Sequence, residues 1–446
     1  MGCPFGKTPA NYQEKCSMSN WRKQDLVAGE ALARRAFLAL ESETADPPGV
    51  TRKAYGEGEK FAFDTMLNEA SALGAEHRYD AGGNLFLTYP GKDRSRVVQI
   101  GSHMDTVPHG GNYDGAAGVI AGVAVMAIFH AAGSKPPFDL CVVITRAEES
   151  CWFPYSYIGS RIALGILDKE LLNTLKRSDT QRTLSEHIAE EGFDPDGVRN
   201  GESLIEISRV VAHIEPHIEQ APVLVEAKKP VGVVTGIRGS FRYRTGRCLG
   251  EYSHSGAMPR QYRQDAMAAT AELIVRMDDL WKEMLAAERD VTVTFGEVTT
   301  NPEQHSFSKV AGETHICLDV RSQDQGVLDD MREKYIALAL EIGRRRNVEF
   351  DLGDISGSTP ALMNENLIEL MKSAAEEANI PYQVMASGAG HDAAMFAQAG
   401  IPTVMIFIRN QNGSHNPHEA MEMEDFEKAV EILANMLARP PEAWGE

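Results

Sequence analysis

The chain has 446 residues, a length that suggests two or three domains, and 43% of them are hydrophobic, which is enough for a large core. Its formal charge of -20 makes nucleic acid and anionic membrane surfaces unexpected partners. No apolar run reaches the roughly 18 residues of a membrane span, and the first residues lack the apolar core of a secretory signal. Six dispersed cysteines favour reduced thiols and a cytoplasmic location.

Apolar periodicity in the first half predicts an α/β architecture. We expect residues 1 to about 20 to be loosely structured. The predicted elements that follow are helices over 21–40, 59–73 and 115–132 and strands over 85–89, 97–100 and 140–145. Functional groups stand at the ends of the last two strands, which is typical of a doubly wound sheet.

The composition changes near Lys228-Lys229-Pro230. The elements predicted after it are strand 231–244, helix 261–287, strands 291–298 and 315–320, helix 327–345 and strand 348–352. This βαββαβ order matches a ferredoxin-like module. We therefore predict a catalytic domain over 1–229 and 357–446, with a mixed, largely parallel sheet flanked by helices, and an inserted α+β domain over 230–356.

Several potential metal ligands lie where strands are predicted to end. His103 and Asp105 follow the strand over 97–100, and Asp114 precedes a run of small residues that opens a helix. Imidazole and carboxylate groups suit a zinc-like ion. A satisfied core histidine and a helix-capping aspartate are the alternative.

Three further segments could contribute to the same site. Glu148-Glu149 ends the strand over 140–145, although it could be a solvated acidic turn. In an extended segment, alternation puts His213, Glu215, His217 and Glu219 on one face, which could equally be a solvated polar face. His415 lies in a turn and could be a surface residue. Together these residues offer one ligand too many for a single tetrahedral ion, and an aspartate bridging two ions about 3.5–4 Å apart resolves the count.

The sequence resembles the N-carbamoyl-L-amino-acid hydrolase and allantoate amidohydrolase branch of the dinuclear metallopeptidases, over residues 49–420. The motifs that carry the resemblance are Gly49-Val50-Thr51-Arg52, Asp80-Ala81-Gly82-Gly83-Asn84, Gly101-Ser102-His103-Met104-Asp105-Thr106-Val107-Pro108, Tyr113-Asp114-Gly115, Glu148-Glu149, His217-Ile218-Glu219-Gln220-Ala221-Pro222, Ser387-Gly388-Ala389-Gly390-His391-Asp392-Ala393 and Ser414-His415-Asn416-Pro417. A histidine at position 217 marks the amidohydrolase branch, since the peptidase branch typically has an aspartate there.

The resemblance implies two divalent ions per subunit, which could be Zn, Mn, Co or Ni. The metal ligands it implies are His103, Asp114 and His217 for one ion and Asp114, Glu149 and His415 for the other. Glu148 would be the general base acting on a metal-bridging water, and Asp105 would orient His103.

For the inserted domain, the resemblance implies a lid and homodimerisation surface. His254 would reach the partner's active site and hold the oxyanion, unless it is a surface histidine in a turn. Arg321 would grip a substrate carboxylate, with a structural ion pair to Asp319 as the competing role. Gln220 and Gly390 match substrate-contacting positions.

Three positions depart from the family pattern. Ser308 replaces an asparagine, Ser150 replaces a glycine, and Trp152 lies where the family has an arginine, so we expect a reshaped pocket. The expected function is hydrolysis of a linear C–N amide or ureido bond in a small carboxylate-bearing molecule. An aminoacylase or dipeptidase and a non-catalytic binding protein are the alternatives.

Overall fold

A computed structural model of the chain describes residues 21–445. The segment expected to be loosely structured, residues 1 to about 20, lies outside the described residues. The chain forms two compact units. The first comprises the described part of Met1–Val233 together with Glu365–Gln383 and residues 406–445, and the second comprises Val234–Asn364 and Val384–Met405.

The helices alternate with strands, as the apolar periodicity predicts. In the described residues they are α1 Lys23–Glu43, α2 Glu57–Ala72, α3 Ala116–Ala131, α4 Ile158–Ala163, α5 Leu171–Thr174, α6 Leu184–Glu190, α7 Pro195–Arg199, α8 Val223–Ala227, α9 Ala266–Ala286, α10 Gln325–Arg346, α11 Glu365–Glu377, α12 Ala393–Gln398 and α13 Met423–Leu437. Helix α3 is buried over Ala116–Phe129 because small and apolar residues cover all of its faces. Among the described residues, no helix is both long and apolar enough to cross a membrane.

The strands of the described residues vary from two to eleven residues in length. They are β1 Ala45–Asp46, β2 Gly49–Val50, β3 Glu76–Tyr79, β4 Leu85–Tyr89, β5 Asp93–His103, β6 Phe138–Thr145, β7 Val210–Ile218, β8 Val231–Ile237, β9 Gly239–Leu249, β10 Ser253–His254, β11 Thr292–Thr300, β12 Lys309–Val310, β13 Glu313–Ser322, β14 Glu349–Asp351, β15 Ile355–Ser358, β16 Ala361–Leu362, β17 Tyr382–Ser387, β18 Thr403–Ile408, β19 Asn410–Gln411 and β20 Ala420–Met421.

The first unit contains the order β7-β5-β6-β4-β3 within a nine-stranded sheet. Strand β5 runs parallel to β6 and β7, whereas β4 is antiparallel to both β3 and β6. The sheet is therefore mixed, with its parallel strands in the middle. Strands β6 and β7 are buried along their whole length. Strand β6 is accordingly almost continuously apolar, whereas β7 also carries polar side chains that are enclosed within the protein. The predicted α/β class with a helix-flanked mixed sheet is confirmed.

The second unit contains an antiparallel sheet in the order β11-β13-β9-β14, with β15 also paired to β9. Apart from the two-residue strands β10 and β12, which form a sheet of their own, its helices and strands over 239–351 follow the order β9-α9-β11-β13-α10-β14, which is the ferredoxin-like arrangement. Buried side chains of α9, α10 and the sheet form one hydrophobic core.

The prediction of one continuous strand over 231–244 was wrong. The segment forms two strands, β8 in the nine-stranded sheet and β9 in the antiparallel sheet, which are separated at Arg238. The Arg238 backbone N–H donates to the Ser387 carbonyl at 3.1 Å, and its guanidinium pairs with Asp290. Hydrophobic periodicity continues across the break because both strands are buried, so the sequence pattern does not reveal it.

Candidate metal centre and active site

Strand register brings two of the predicted segments to one edge of the sheet. His103 is the last residue of β5 and pairs in parallel with Thr145, the last residue of β6. Glu148 and Glu149 follow Thr145 by three and four residues. Parallel strands end at the same edge, so the imidazole and the two carboxylates meet there.

Backbone carbonyls fix the orientation of two histidines. His103 Nδ1 lies 3.0 Å from the Asp105 carbonyl oxygen, and His217 Nδ1 lies 2.9 Å from the Ile218 carbonyl oxygen. A carbonyl can only accept, so each Nδ1 carries the proton. This leaves Nε2 of both rings as the atom that can ligate a metal.

Both Nε2 atoms face one oxygen of Asp114. His103 Nε2 is 3.6 Å and His217 Nε2 is 3.2 Å from Asp114 Oδ1. Ligand atoms that share a tetrahedral zinc ion at about 2.0–2.1 Å lie roughly 3.3 Å apart. Asp114 Oδ1 is buried and accepts no hydrogen bond of good geometry from any residue between 21 and 445. An unsatisfied buried carboxylate oxygen between two oriented imidazoles fits a divalent cation.

The other oxygen of Asp114 belongs to a second group of ligands. His415 Nε2 lies 3.5 Å from Asp114 Oδ2 and 3.1 Å from Glu149 Oε1. Glu149 is buried, whereas the His415 side chain is half exposed and its backbone φ is 59°. His103, Asp114 and His217 form one possible metal-binding group, and Asp114, Glu149 and His415 form another. Asp114 is common to both, as a bridging ligand must be.

Gly115 allows the backbone that carries Asp114 to come close to the His103 ring. Its φ is +66°, and a Cβ added there would lie 2.5 Å from His103 Cε1. A side chain at this position would therefore collide with the imidazole and strain the backbone at the start of α3.

Several polar groups hold Asp114 in place. Gln220 Nε2 donates to Asp114 Oδ2 at 2.7 Å, and the Ser414 hydroxyl also contacts this oxygen. Glu419 Oε1 accepts the backbone N–H groups of Tyr113 and Asp114 at 2.9 and 3.2 Å. Sequence analysis missed Glu419, because an isolated glutamate after the His415 turn belongs to no recognisable pattern.

The Asp105 carboxylate holds the turn that bears the two glutamates. Its Oδ1 accepts the Glu148 N–H at 3.2 Å and its Oδ2 accepts the Glu149 N–H at 3.1 Å. The predicted contact with His103 is longer, 3.5 Å from Nδ1 to Oδ1. Asp105 is completely buried, so its carboxylate satisfies these two backbone donors where water does not reach it.

Arg146, a second residue that sequence analysis missed, anchors the same turn. This buried guanidinium pairs with Glu59 at 2.8 Å and with Glu191 at 3.1 Å. It also lies 4.6 Å from the Phe63 ring centroid and 5.0 Å from that of Tyr55. An arginine directly after an apolar strand gave no sign that it would point inward.

Burial contradicts two alternatives to a metal site, a solvated acidic turn at Glu148-Glu149 and a solvated polar face on the segment 213–219. Glu149 is buried in the turn, and His213, Glu215, His217 and Glu219 are all buried along β7 and just beyond it. The Ser102 hydroxyl donates to Glu215 Oε1 at 3.0 Å, and Glu219 accepts the N–H groups at the start of α8. The polar face of β7 is therefore enclosed within the protein.

Trp152 lies in a hydrophobic core rather than on an open surface. Its indole is 4% exposed, packs in a cluster with Tyr55 and Phe153, and donates to the Thr106 carbonyl at 2.7 Å. The same cluster includes Ala147, so the indole belongs to the core beside the Glu148-Glu149 turn.

Nearby carboxylates raise the pKa of the candidate ligands His103 and His415 in the metal-free protein. Burial lowers the pKa of His103, but Glu148, Asp105 and Asp114 outweigh it and raise this pKa well above its usual value. The hydrogen bond with Glu149 is the largest cause that raises the pKa of His415 to about 9. The site therefore attracts positive charge, and a divalent cation would supply that charge in place of the protons.

The other predicted substrate residues lie in the second unit. His254 is exposed, and its Nδ1 accepts the N–H groups of Gly256 and Ala257 at 3.1 Å each. Ser308 is adjacent to this turn, because its carbonyl accepts the Ser255 N–H at 2.9 Å.

Arg321, which was predicted to bind a substrate carboxylate, makes the ion pair with Asp319 that was named as its competing role. It pairs with Asp319 at 2.9 Å and donates to the Gly388 carbonyl at 2.9 Å, two residues before Gly390. Arg242 also donates to Asp319 at 3.1 Å, so this carboxylate contacts two guanidinium groups.

Comparisons with known proteins agree with this geometry. A profile of peptidase family M20/M25/M40 matches residues 99–439. The N-carbamoyl-L-amino acid amidohydrolase of Geobacillus stearothermophilus is 32% identical over 411 residues, which cover 92% of this chain and 97% of that protein. The allantoate amidohydrolase of Bacillus subtilis is 31% identical over 407 residues, 90% of this chain and 95% of that protein. A solved amidase of the hydantoinase/carbamoylase family from Burkholderia multivorans has a TM-score of 0.81 at 26% identity, and the match covers 92% of this chain and 98% of that one.

The family profile and the amidohydrolase relatives identify a hydrolase of C–N bonds, and the cluster of histidines and carboxylates is consistent with that chemistry. The chain belongs to peptidase family M20/M25/M40, and its relatives include amidohydrolases of carbamoyl and allantoate substrates. The resemblance and the enzyme class expected from the motifs are confirmed.

Proposed function

We propose that the enzyme hydrolyses the linear C–N bond of a carbamoyl or ureido group in a small molecule that bears a carboxylate, such as an N-carbamoyl-L-amino acid or allantoate. The observation that carries this proposal is Asp114, whose two oxygens face two separate sets of ligands. The names of the relatives supply the substrate class.

Two divalent cations fit the ligand atoms. His103, Asp114 and His217 would hold one, and Asp114, Glu149 and His415 would hold the other. When bound, the pair would polarise the scissile carbonyl and acidify the attacking water. Imidazole and carboxylate ligands accept Zn, Mn, Co and Ni, so availability decides among them.

Glu148 is the general base in this proposal. Its Oε2 lies 3.8 Å from His103 Nε2, and its side chain is only 11% exposed, so the carboxylate stays beside the ligand cluster. Glu148 takes a proton from water as the water oxygen bonds to the carbonyl carbon. It then delivers that proton to the leaving nitrogen as the C–N bond breaks.

The remaining residues bind substrate or stabilise charge. We assign oxyanion stabilisation to His254, whose Nε2 is left for substrate because its Nδ1 accepts two backbone N–H groups. Arg321 would bind the substrate carboxylate beside its pairing with Asp319. Gln220, Ser308 and Gly390 would contact the rest of the molecule.

We also propose a homodimer that forms through the second unit. Strand β11 is at the edge of its sheet and is paired only with β13 among the described residues. Val298 on this strand and Val275 on α9 are exposed apolar side chains. An open strand edge with exposed apolar groups favours association with another copy.

A mixing experiment tests whether the active site is shared. His254→Ala and Glu148→Gln proteins should each lose turnover, and mixed dimers should recover part of it if His254 serves the partner's site. Homodimers of wild-type size with no recovery on mixing would place the whole site within one chain.

The cytoplasm is the proposed location. Cys141, Cys151, Cys248 and Cys317 are all free thiols, as expected in a reducing compartment.

A substrate panel tests the main proposal. N-carbamoyl, N-formyl and N-acetyl amino acids and allantoate should be compared by ammonia release and by release of the free amino group. Ammonia from a carbamoyl or ureido substrate is the expected result. Release of a carboxylic acid from acyl amino acids, with no ammonia from the ureido compounds, would indicate an aminoacylase or dipeptidase instead.

A further inference from the structure

The second unit contains a cavity of about 710 Å³ that is rich in arginine. Four guanidinium groups line it, those of Arg260, Arg263, Arg345 and Arg346, whereas Asp265 is the acidic residue in its lining. This concentration of positive charge is notable in a chain with a formal charge of -20.

The arginines are incompletely neutralised. Arg345 and Arg346 share a single carboxylate, that of Glu272, with Arg346 Nε at 2.6 Å from its Oε2. The Arg260 guanidinium makes no ion pair or hydrogen bond with any residue over 21–445. Asp265 is already engaged, because its Oδ1 accepts the Ala268 N–H at the start of α9.

Stabilisation of a helix end explains only part of this arrangement. Arg344, Arg345 and Arg346 form the last turn of α10, where positive side chains interact favourably with the helix dipole. Arg260 and Arg263 belong to the separate segment between β10 and α9, and the same explanation does not apply to them.

We propose that this cavity binds a small polyanion of the phosphate type. The planar guanidinium group pairs in a bidentate manner with phosphate oxygens, and several such groups around one concave site select multiply charged anions. The cavity volume is within the range of small-molecule sites, so a phosphorylated metabolite would fit as well as inorganic phosphate.

Arg263 links this cavity to the turn that carries His254. Its Nε donates to the Met258 carbonyl at 2.9 Å, and its terminal nitrogen contacts the Ser255 carbonyl. An anion that draws the Arg263 guanidinium into the cavity would break these bonds and release the turn. If His254 acts as proposed above, anion binding therefore lowers turnover; this consequence rests on the proposed function, whereas the binding itself does not.

Calorimetric titration of the metal-loaded enzyme with inorganic phosphate tests the site. Arg260→Gln and Arg345→Gln should each weaken binding about tenfold, since each removes one charge-assisted contact. Arg344→Gln is the matched control, because it removes the same charge from the same turn of α10 but lies outside the cavity lining. It should change the affinity by less than about twofold. Arg260 has no partner to lose among the described residues, so its variant should fold normally.

Each result decides the matter. A phosphate titration with no heat, or affinities that are equal in Arg260→Gln, Arg345→Gln and Arg344→Gln, would overturn the proposal, and the second result would assign phosphate to another site such as the metal centre. Tricarballylate, a tricarboxylate, serves as the second probe. Tighter binding of tricarballylate than of phosphate would contradict the phosphate assignment. Phosphate binding that is weakened by Arg260→Gln and Arg345→Gln but not by Arg344→Gln would support the cavity even if the wild-type enzyme released no ammonia from carbamoyl or ureido substrates, a result that would refute only the proposed function.

Discussion

The Asp105 carboxylate accepts the backbone N–H of Glu148 at 3.2 Å, with its other oxygen on the N–H of Glu149 at 3.1 Å. One buried side chain thus sets the position of the proposed base and of a proposed metal ligand. Both contacts are made to the backbone, so Asp105 acts on the glutamates through the shape of their turn.

Asp105→Asn should lower kcat by about 10- to 100-fold, because an amide can accept only one of the two N–H groups and directs its own N–H₂ at the other. Metal content measured by mass spectrometry should also fall, since Glu149 moves with the turn. Asp64→Asn, which removes an exposed carboxylate on α2, is the control and should leave both quantities unchanged. Wild-type kcat in Asp105→Asn would show that the turn holds its shape without this carboxylate.

Glu148→Gln and Glu149→Gln should separate catalysis from metal binding. The first should retain two ions per subunit and lose about 10²- to 10⁴-fold in kcat, because the amide cannot take a proton. The second should retain about one ion, since it removes a ligand from the group of Asp114 and His415. Metal analysis and kinetics on the same preparations check both. Near wild-type turnover in Glu148→Gln would remove it from the role of base.

Gly115→Ala should destabilise the protein by about 1–3 kcal/mol, because alanine is strained at a φ of +66° and its Cβ would lie 2.5 Å from His103 Cε1. The displaced imidazole should also weaken metal binding. Gly192→Ala is a matched control, as its φ is +84° but a Cβ there meets nothing within 4 Å. It should show a loss of stability in urea unfolding without a loss of metal. Equal metal content in both variants would argue against the close approach of Gly115 and His103.

Metal binding should release protons and strengthen as pH rises towards about 9. The pKa of His415 in the metal-free protein is raised to about 9, mainly by its hydrogen bond with Glu149, and an imidazolium must lose a proton before its nitrogen can bind a metal. Titration of metal into chelator-treated protein, in buffers of different ionisation enthalpy, counts these protons. An affinity that does not change with pH between 6 and 9 would contradict the raised pKa.

The same shift affects the stability of the metal-free protein in the opposite direction. A pKa raised from 6.5 to about 9 on folding contributes stability that is fully present below pH 6.5 and is lost as pH rises through about 9. Thermal unfolding of the metal-free protein should therefore show this contribution decreasing over that interval.

Chelation should abolish turnover, with Zn, Mn, Co or Ni restoring it, and activity that survives exhaustive chelation would refute a metal mechanism.

Local sequence predicted the candidate ligands and most of the elements. Strands that end in His103 or just before Glu148, and a helix that begins after Asp114, follow from apolar runs and their borders. Parallel strands end at one edge of a sheet, so even the meeting of these groups could be predicted before the fold was known.

Only the tertiary structure decided the supporting contacts. The roles of Glu419 and Arg146 depend on partners about 300 and 90 positions away in the chain, Asp114 and Glu59, and no periodicity records such pairs. The break at Arg238 likewise depends on Asp290 and Ser387. Residue type and spacing report the chemistry that a segment can offer. Which buried polar group satisfies which other one is set by packing between distant segments, and it becomes visible only in the folded chain.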